Sequence, residues 1–154
     1  MYDARQIANW FVLRARKDGR KLSIMQLLKL VYIAHGWHLE MRKSPLFNNR
    51  IEAWQYGPVI PDVYSAFRRQ GINVDTATQA VPAIDMAPAD NGLMEDVWNI
   101  YGKLPAFRLS ELTHVPGGPW DIATQTGGHY APIPNASIQQ HYEYLRLRAE
   151  AARA

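Results

Sequence analysis

The stretch from Pro45 to Pro61 ends Trp54-Gln55-Tyr56-Gly57-Pro58-Val59-Ile60-Pro61, which places two aromatic residues, a glycine and two prolines in close succession. Gly57 is free to take a positive φ. Pro58 fixes its own φ near about −65° and keeps Gly57 out of the helical region. Pro61 suits the first position of a following helix, where a missing N–H costs nothing. The spacing predicts a loop over residues 43–60 with one short strand near Ile51–Trp54, closed by a rigid elbow beside Trp54 and Tyr56. The stretch carries no nucleophile and no metal-ligand cluster. A segment this constrained suits shape recognition or core locking better than chemistry.

The flanks read as helices. Asp3 is placed to cap a helix to about Lys17, with Ile7, Trp10 and Phe11 as its buried stripe and Gly19 past its end. Ser23 is placed to cap a longer one, Ile24 to Met41. Its apolar density around Leu27–Ala34 predicts the central helix. Gly36 inside it costs about 1 kcal/mol relative to Ala, which implies that something packs closely there. A third helix is expected from Pro61 to Gln70, and residues 72–89 read as a surface connection. A fourth starts at Asp90 or Asn91, with Leu93, Val97, Ile100 and Tyr101 facing inward and Gly102 closing it. Short helices follow over Glu111–His114, capped by Ser110, and over Trp120–Thr124, opened by Pro119. After a Gly127-Gly128 turn, His129–Ile133 reads as a short strand. The last helix, from Pro134 or Asn135, buries Ile138, Tyr142 and Leu145, and Ala149–Ala154 is expected to fray. The expected class is mainly α with minor β: one domain over residues 1–154, of five to seven helices and a few short strands.

At 154 residues the chain suffices for one domain with a substantial core. No apolar run approaches the ~18 residues that span a bilayer, so no membrane association is expected. The first residues lack a signal pattern, and the expected location is the cytoplasm. The absence of cysteine excludes disulfides, thiol catalysis and thiolate zinc sites. Residues 1–50 hold ten Lys/Arg against three acids, a net +7, and the remainder carries −4. Such asymmetry marks either a nucleic-acid or acidic-partner surface or, more plainly, the solvated faces of two amphipathic helices.

Chemistry is weakly signalled. His35 and His38 share a helix face, but Glu40 is rotated away and no third ligand is evident, whereas zinc needs three or four. Thr113-His114 near Glu111 and Asp121 invites a hydrolase reading, yet no serine stands in a nucleophile-elbow context. The simpler reading is that Thr113 and His114 tie down the Val115-Pro116-Gly117-Gly118 turn while Trp120 fills the core behind it. No catalytic, cofactor-binding or metal-binding residue is assigned, and the chain reads as no enzyme. Of the five tryptophans, Trp10, Trp98 and Trp120 fall in apolar patterns. Trp37, Trp54 and Tyr56, with the basic Arg42 and Lys43, are the candidates for a protein-binding surface, with core locking as the alternative for the aromatics.

Three blocks follow one another in order: Leu27-Leu28-Lys29-Leu30-Val31-Tyr32-Ile33-Ala34-His35-Gly36-Trp37; Ile51-Glu52-Ala53-Trp54 with Tyr56-Gly57-Pro58-Val59-Ile60-Pro61 and Tyr64; and Leu109-Ser110-Glu111-Leu112-Thr113-His114 with Pro119-Trp120. In these the chain resembles the Panacea domain, the SocA-like antitoxin family, which has prophage-encoded relatives. The resemblance implies a bacterial antitoxin without catalysis or cofactor that neutralises a co-encoded toxin by direct contact. It also implies, from one type of member, an adaptor that presents the toxin to a Clp-type AAA+ protease. The shared motif residues Gly57, Pro58, Pro61, Thr113, His114 and Trp120 are expected to hold the fold. Because the family meets very different toxins, the motif does not name the partner-facing residues. The Arg146–Glu150 tail is a further candidate contact, or a solvated helix end. The alternative function is a nucleic-acid-binding repressor using the basic N-terminal half, though no recognition motif supports it and only weak DNA binding is expected.

Overall fold

A computed structural model describes residues 1–153. Helix α1 (Ala4–Lys17) begins at Asp3, whose side chain accepts from the Arg5 backbone N–H while Gln6 reaches back to the Asp3 N–H. Helix α2 (Ile24–Arg42) begins the same way at Ser23 with Gln26. These reciprocal caps satisfy donors that a helix start leaves open. Strands β1 (Glu52–Trp54) and β2 (Gly57–Val59) form a hairpin, and helix α3 (Pro61–Phe67) runs on into a 3₁₀ turn at Arg68–Gln70. Helices α4 (Pro88–Tyr101), α5 (Ala106–Thr113) and α6 (Pro119–Gly127), strand β3 (Ala131–Pro132) and helix α7 (Asn135–Arg153) complete the order.

The central position of α2 follows from its composition. From Leu27 to Glu40 every residue except Trp37 is buried, and α1, α3, α4, α5 and α7 all pack on it. Burying one Leu or Ile side chain is worth roughly 1.5–3 kcal/mol, so this helix supplies much of the driving force for folding. Gly36 marks a close approach: a Cβ there would overlap the Tyr142 ring of α7. Residues from all seven of these helices join one hydrophobic cluster.

The sheet is antiparallel in the order β2-β1-β3, with Ala53 opposite Pro58 and opposite Ala131. The strand at Gly57-Pro58-Val59 departs from the loop that the sequence predicts over residues 43–60. Pro58 is tolerated because β2 is an edge strand, where a missing N–H breaks no ladder bond. Gly57 has φ +122°, the positive value the sequence predicts.

Three other expectations are corrected. Helix α5 starts at Ala106 rather than Glu111, with Pro105 at its N-cap and Ser110 inside it. Helix α4 starts at Pro88, a proline at the first helical position, two residues ahead of Asp90. Ile100 is 66% exposed, because Met94, Val97 and Trp98 already form the buried stripe of α4. Helix α7 continues through the exposed residues Ala149–Arg153, and Ala154 lies outside the described residues.

Candidate functional site

Lys29, in the middle of the α2 apolar run, is fully buried, and its Nζ donates to the Pro58 carbonyl at 3.2 Å. The lysine thus satisfies a carbonyl on the open edge of β2. Room for it exists only because residue 57 is glycine. A Cβ there would stand 2.6 Å from Lys29 Cε and 3.0 Å from His114 Cε1. Burial pushes the Lys29 amino group down from 10.5 to about 7, since a cation in this apolar setting has no carboxylate beside it.

His114 sits just past the end of α5, its Nδ1 2.5 Å from the Ser110 carbonyl, so that nitrogen carries the proton. Its ring lies 4.2 Å from Trp120, and Trp120 Nε1 donates to the Trp54 carbonyl at 2.7 Å. Thr113 Oγ1 also bonds back into α5, to Ser110 and Leu109 carbonyls. Neither residue ties down the Val115–Gly118 turn as the sequence suggests. Asp121 does, accepting from the Gly117 N–H at 2.8 Å. The chain Lys29, Pro58, His114, Trp120 and Trp54 therefore joins α2, the hairpin, α5 and α6.

This scaffold presents an aromatic face. The half-buried Trp54 ring meets Tyr64 of α3 at 5.0 Å and Tyr130 at 5.5 Å, both edge to face. Its Nε1 donates to Glu52 at 2.9 Å, which fixes the ring orientation. Tyr130, at φ +67°, is 61% exposed, and Tyr56 at the hairpin turn is 65% exposed.

Trp37, Arg42 and Lys43 lie elsewhere. Trp37 packs on Tyr142 at 5.0 Å and donates to the Tyr101 hydroxyl. Arg42 lies at the end of α2 and donates to the Ala89 carbonyl, and Lys43 takes the left-handed cap position at φ 56°. Lys43 and Arg146 both donate to the buried Glu40 carboxylate, at 2.7 and 2.6 Å. Burial alone would raise this carboxyl, but the two cations outweigh it and hold it below its ordinary range. His35 and His38 take separate partners. His35 Nε2 lies 2.8 Å from Asn135 Oδ1, and burial pushes that imidazole down to about 4. His38 turns to Ser44 and Asp90.

The family model described as "Antitoxin SocA-like, Panacea domain" matches residues 27–121. The chain belongs to the SocA-like antitoxin family. It is also 32% identical over 136 residues to Antitoxin SocA of Caulobacter vibrioides (strain NA1000 / CB15N), covering 82% of this chain and 72% of that protein. No solved structure matches.

The matched span runs from the buried face of α2 through the hairpin to the start of α6, so the Panacea domain model covers the whole Lys29–Gly57–His114–Trp120 core. Two contributors to the aromatic face, Tyr64 and Tyr130, are not among the residues that sequence reading singles out for binding, since neither lies in the hairpin segment and Tyr130 is far from Trp54 in the chain. Lys29 is missed too, counted with the surface charge although the apolar run around it signals burial. Of the ten basic residues in positions 1–50, six form ion pairs: Arg5, Arg14, Lys21, Arg42, Lys43 and Arg50. Arg20 lies over the Trp98 ring. Among the described residues no helix is long and apolar enough to cross a membrane.

Proposed function

We propose that this Panacea protein is the antitoxin of a toxin–antitoxin pair, and that it neutralises a co-encoded protein toxin by direct contact without chemistry of its own. The observation that carries the reading is the aromatic cluster of Trp54, Tyr64 and Tyr130, with the exposed Tyr56 at the hairpin turn two residues past Trp54. Exposed aromatics on a rigid support lose little conformational freedom on binding and dominate interface energetics. A standard interface takes ~800 Å² from each partner, which one face of a chain this size supplies. Trp37, Arg42 and Lys43 are secondary candidates at a separate place on the surface. Handing the toxin to a Clp-type AAA+ protease is the finer form of the same proposal, and the exposed end of α7 from Leu147 is the segment most open to such a contact.

Nucleic-acid binding gains nothing from the geometry, because the basic residues of the first half are largely engaged within the fold. The test is co-expression with the neighbouring gene. A stable complex and relief of that gene's growth inhibition support the reading. No co-purifying partner together with no rescue by any adjacent gene overturns it.

A further inference from the structure

The hydrogen-bond chain around His38 fixes where its protons lie. The Ala87 backbone N–H must donate, and it points at the Tyr2 hydroxyl at 3.1 Å. The single Tyr2 hydroxyl proton then goes to Asp90 Oδ2 at 2.8 Å. The other oxygen, Asp90 Oδ1, faces His38 Nε2 at 3.1 Å, and His38 Nδ1 faces the Ser44 carbonyl at 2.7 Å. A carbonyl oxygen and an ionised carboxylate only accept. Both imidazole nitrogens face acceptors, so only a ring carrying a proton on each nitrogen makes hydrogen bonds of both contacts.

We propose that His38 is a proton-operated latch that closes the N-terminal segment over the cleft between the end of α2 and the start of α4. The cleft, about 410 Å³, is bordered by Met1, Tyr2, His38, Arg42, Ser44 and Asp90 among others. The N-terminal segment crosses beside it, the Tyr2 N–H donating to the Leu46 carbonyl at 2.9 Å. Loss of one imidazole proton leaves a nitrogen lone pair against either Asp90 or the Ser44 carbonyl, whichever tautomer forms. One of the two bonds that His38 makes, to the Ser44 loop and to α4, is then replaced by a repulsive contact. Through Asp90 the change reaches Tyr2, and through Ser44 it reaches Leu46, the two anchors of the segment.

The charged and titratable groups facing His38 are few. Asp90 of α4 opposes it directly at 3.1 Å. Arg42, one turn along α2, lies 3.9 Å from the same Asp90 oxygen and shares that carboxylate. His35, one turn back on α2, is neutral because burial holds it down to about 4. The Tyr2 hydroxyl from the N-terminal segment is raised by burial and by Asp90, so it keeps its proton and stays a donor. The device is independent of the antitoxin reading, since it needs no partner.

Nitrogen-15 NMR of the imidazole rings, combined with amide exchange from pH 5 to 9 corrected for intrinsic rates, tests it. The expected result is a His38 ring protonated at both nitrogens at low pH. As it titrates, protection of the Tyr2 and Ala87 amides should fall at least five-fold while α2 core amides keep theirs. In His38→Gln those two amides should show protection independent of pH. A His38 ring that stays a single neutral tautomer throughout, or protection that ignores its titration in the parent protein, overturns the proposal even where the variant fails to fold.

Discussion

Lys29 reaches the Pro58 carbonyl through the space left by the missing side chain of Gly57, with Cε only 2.6 Å from where a Cβ would stand. A helix residue and a hairpin residue are thus fitted to each other. The two meet at the centre of the segment that the family model covers.

Replacing Gly57 by Val places a β-branched side chain at φ +122° and into Lys29 and His114. The expected loss is roughly 1–3 kcal/mol of folding stability, the ordinary cost of one strained backbone position. Urea denaturation measures it. Combined with Lys29→Met, the loss should be smaller than the sum of the single effects by more than ~0.5 kcal/mol, because the two sites share one space. Additive effects would remove the link between them.

Lys29 also sets a pH dependence. Its folded value of about 7 lies below the ordinary 10.5, so between those values the unfolded chain holds a proton that the folded chain does not. Stability contributed by this site therefore rises with pH across that window. Below about 7 both states are protonated and the full penalty applies, on the order of several kcal/mol. Lys29→Met should stabilise the protein most below pH 7, and the gain should shrink toward pH 10. A parent-to-variant difference that stays constant from pH 6 to pH 10 would contradict the account.

Gly36→Ala should destabilise the chain by about 1–3 kcal/mol, although alanine favours a helix by ~1 kcal/mol, because its methyl group overlaps the Tyr142 ring. Tyr142→Leu in the same chain should recover part of that loss. Thermal melts of the parent and the two variants check it, and a Gly36→Ala protein more stable than its parent would show that α7 does not pack this closely.

The helices were legible because their signals are local. Asp3, Ser23 and Pro61 start helices where their chemistry predicts, and the cost of Gly36 pointed to a neighbour without naming Tyr142. Strand β2 was hidden because a glycine and a proline form strand only at an edge, and edge status is a tertiary fact. Pro105 offers no side-chain cap, so local chemistry points to Ser110 and predicts too short an α5. Trp54 and Tyr56 were readable as site candidates from the elbow. Tyr130 was not, since its ring reaches Trp54 only once β3 pairs with β1. The basic half was legible as charge but not as ion pairs, whose partners lie as far off as Glu95 and Asp90.

The central claim is that the hairpin's aromatic face binds the co-encoded toxin. The most direct measurement is the affinity of the purified neighbour-encoded protein for the parent chain and for Tyr56→Ala/Tyr130→Ala, both exposed positions that leave the core intact. The account predicts at least a ten-fold weaker complex, about 1.4 kcal/mol, and loss of growth rescue, with the melting temperature within about 3 °C of the parent. Equal affinity and full rescue by the folded double variant would contradict it.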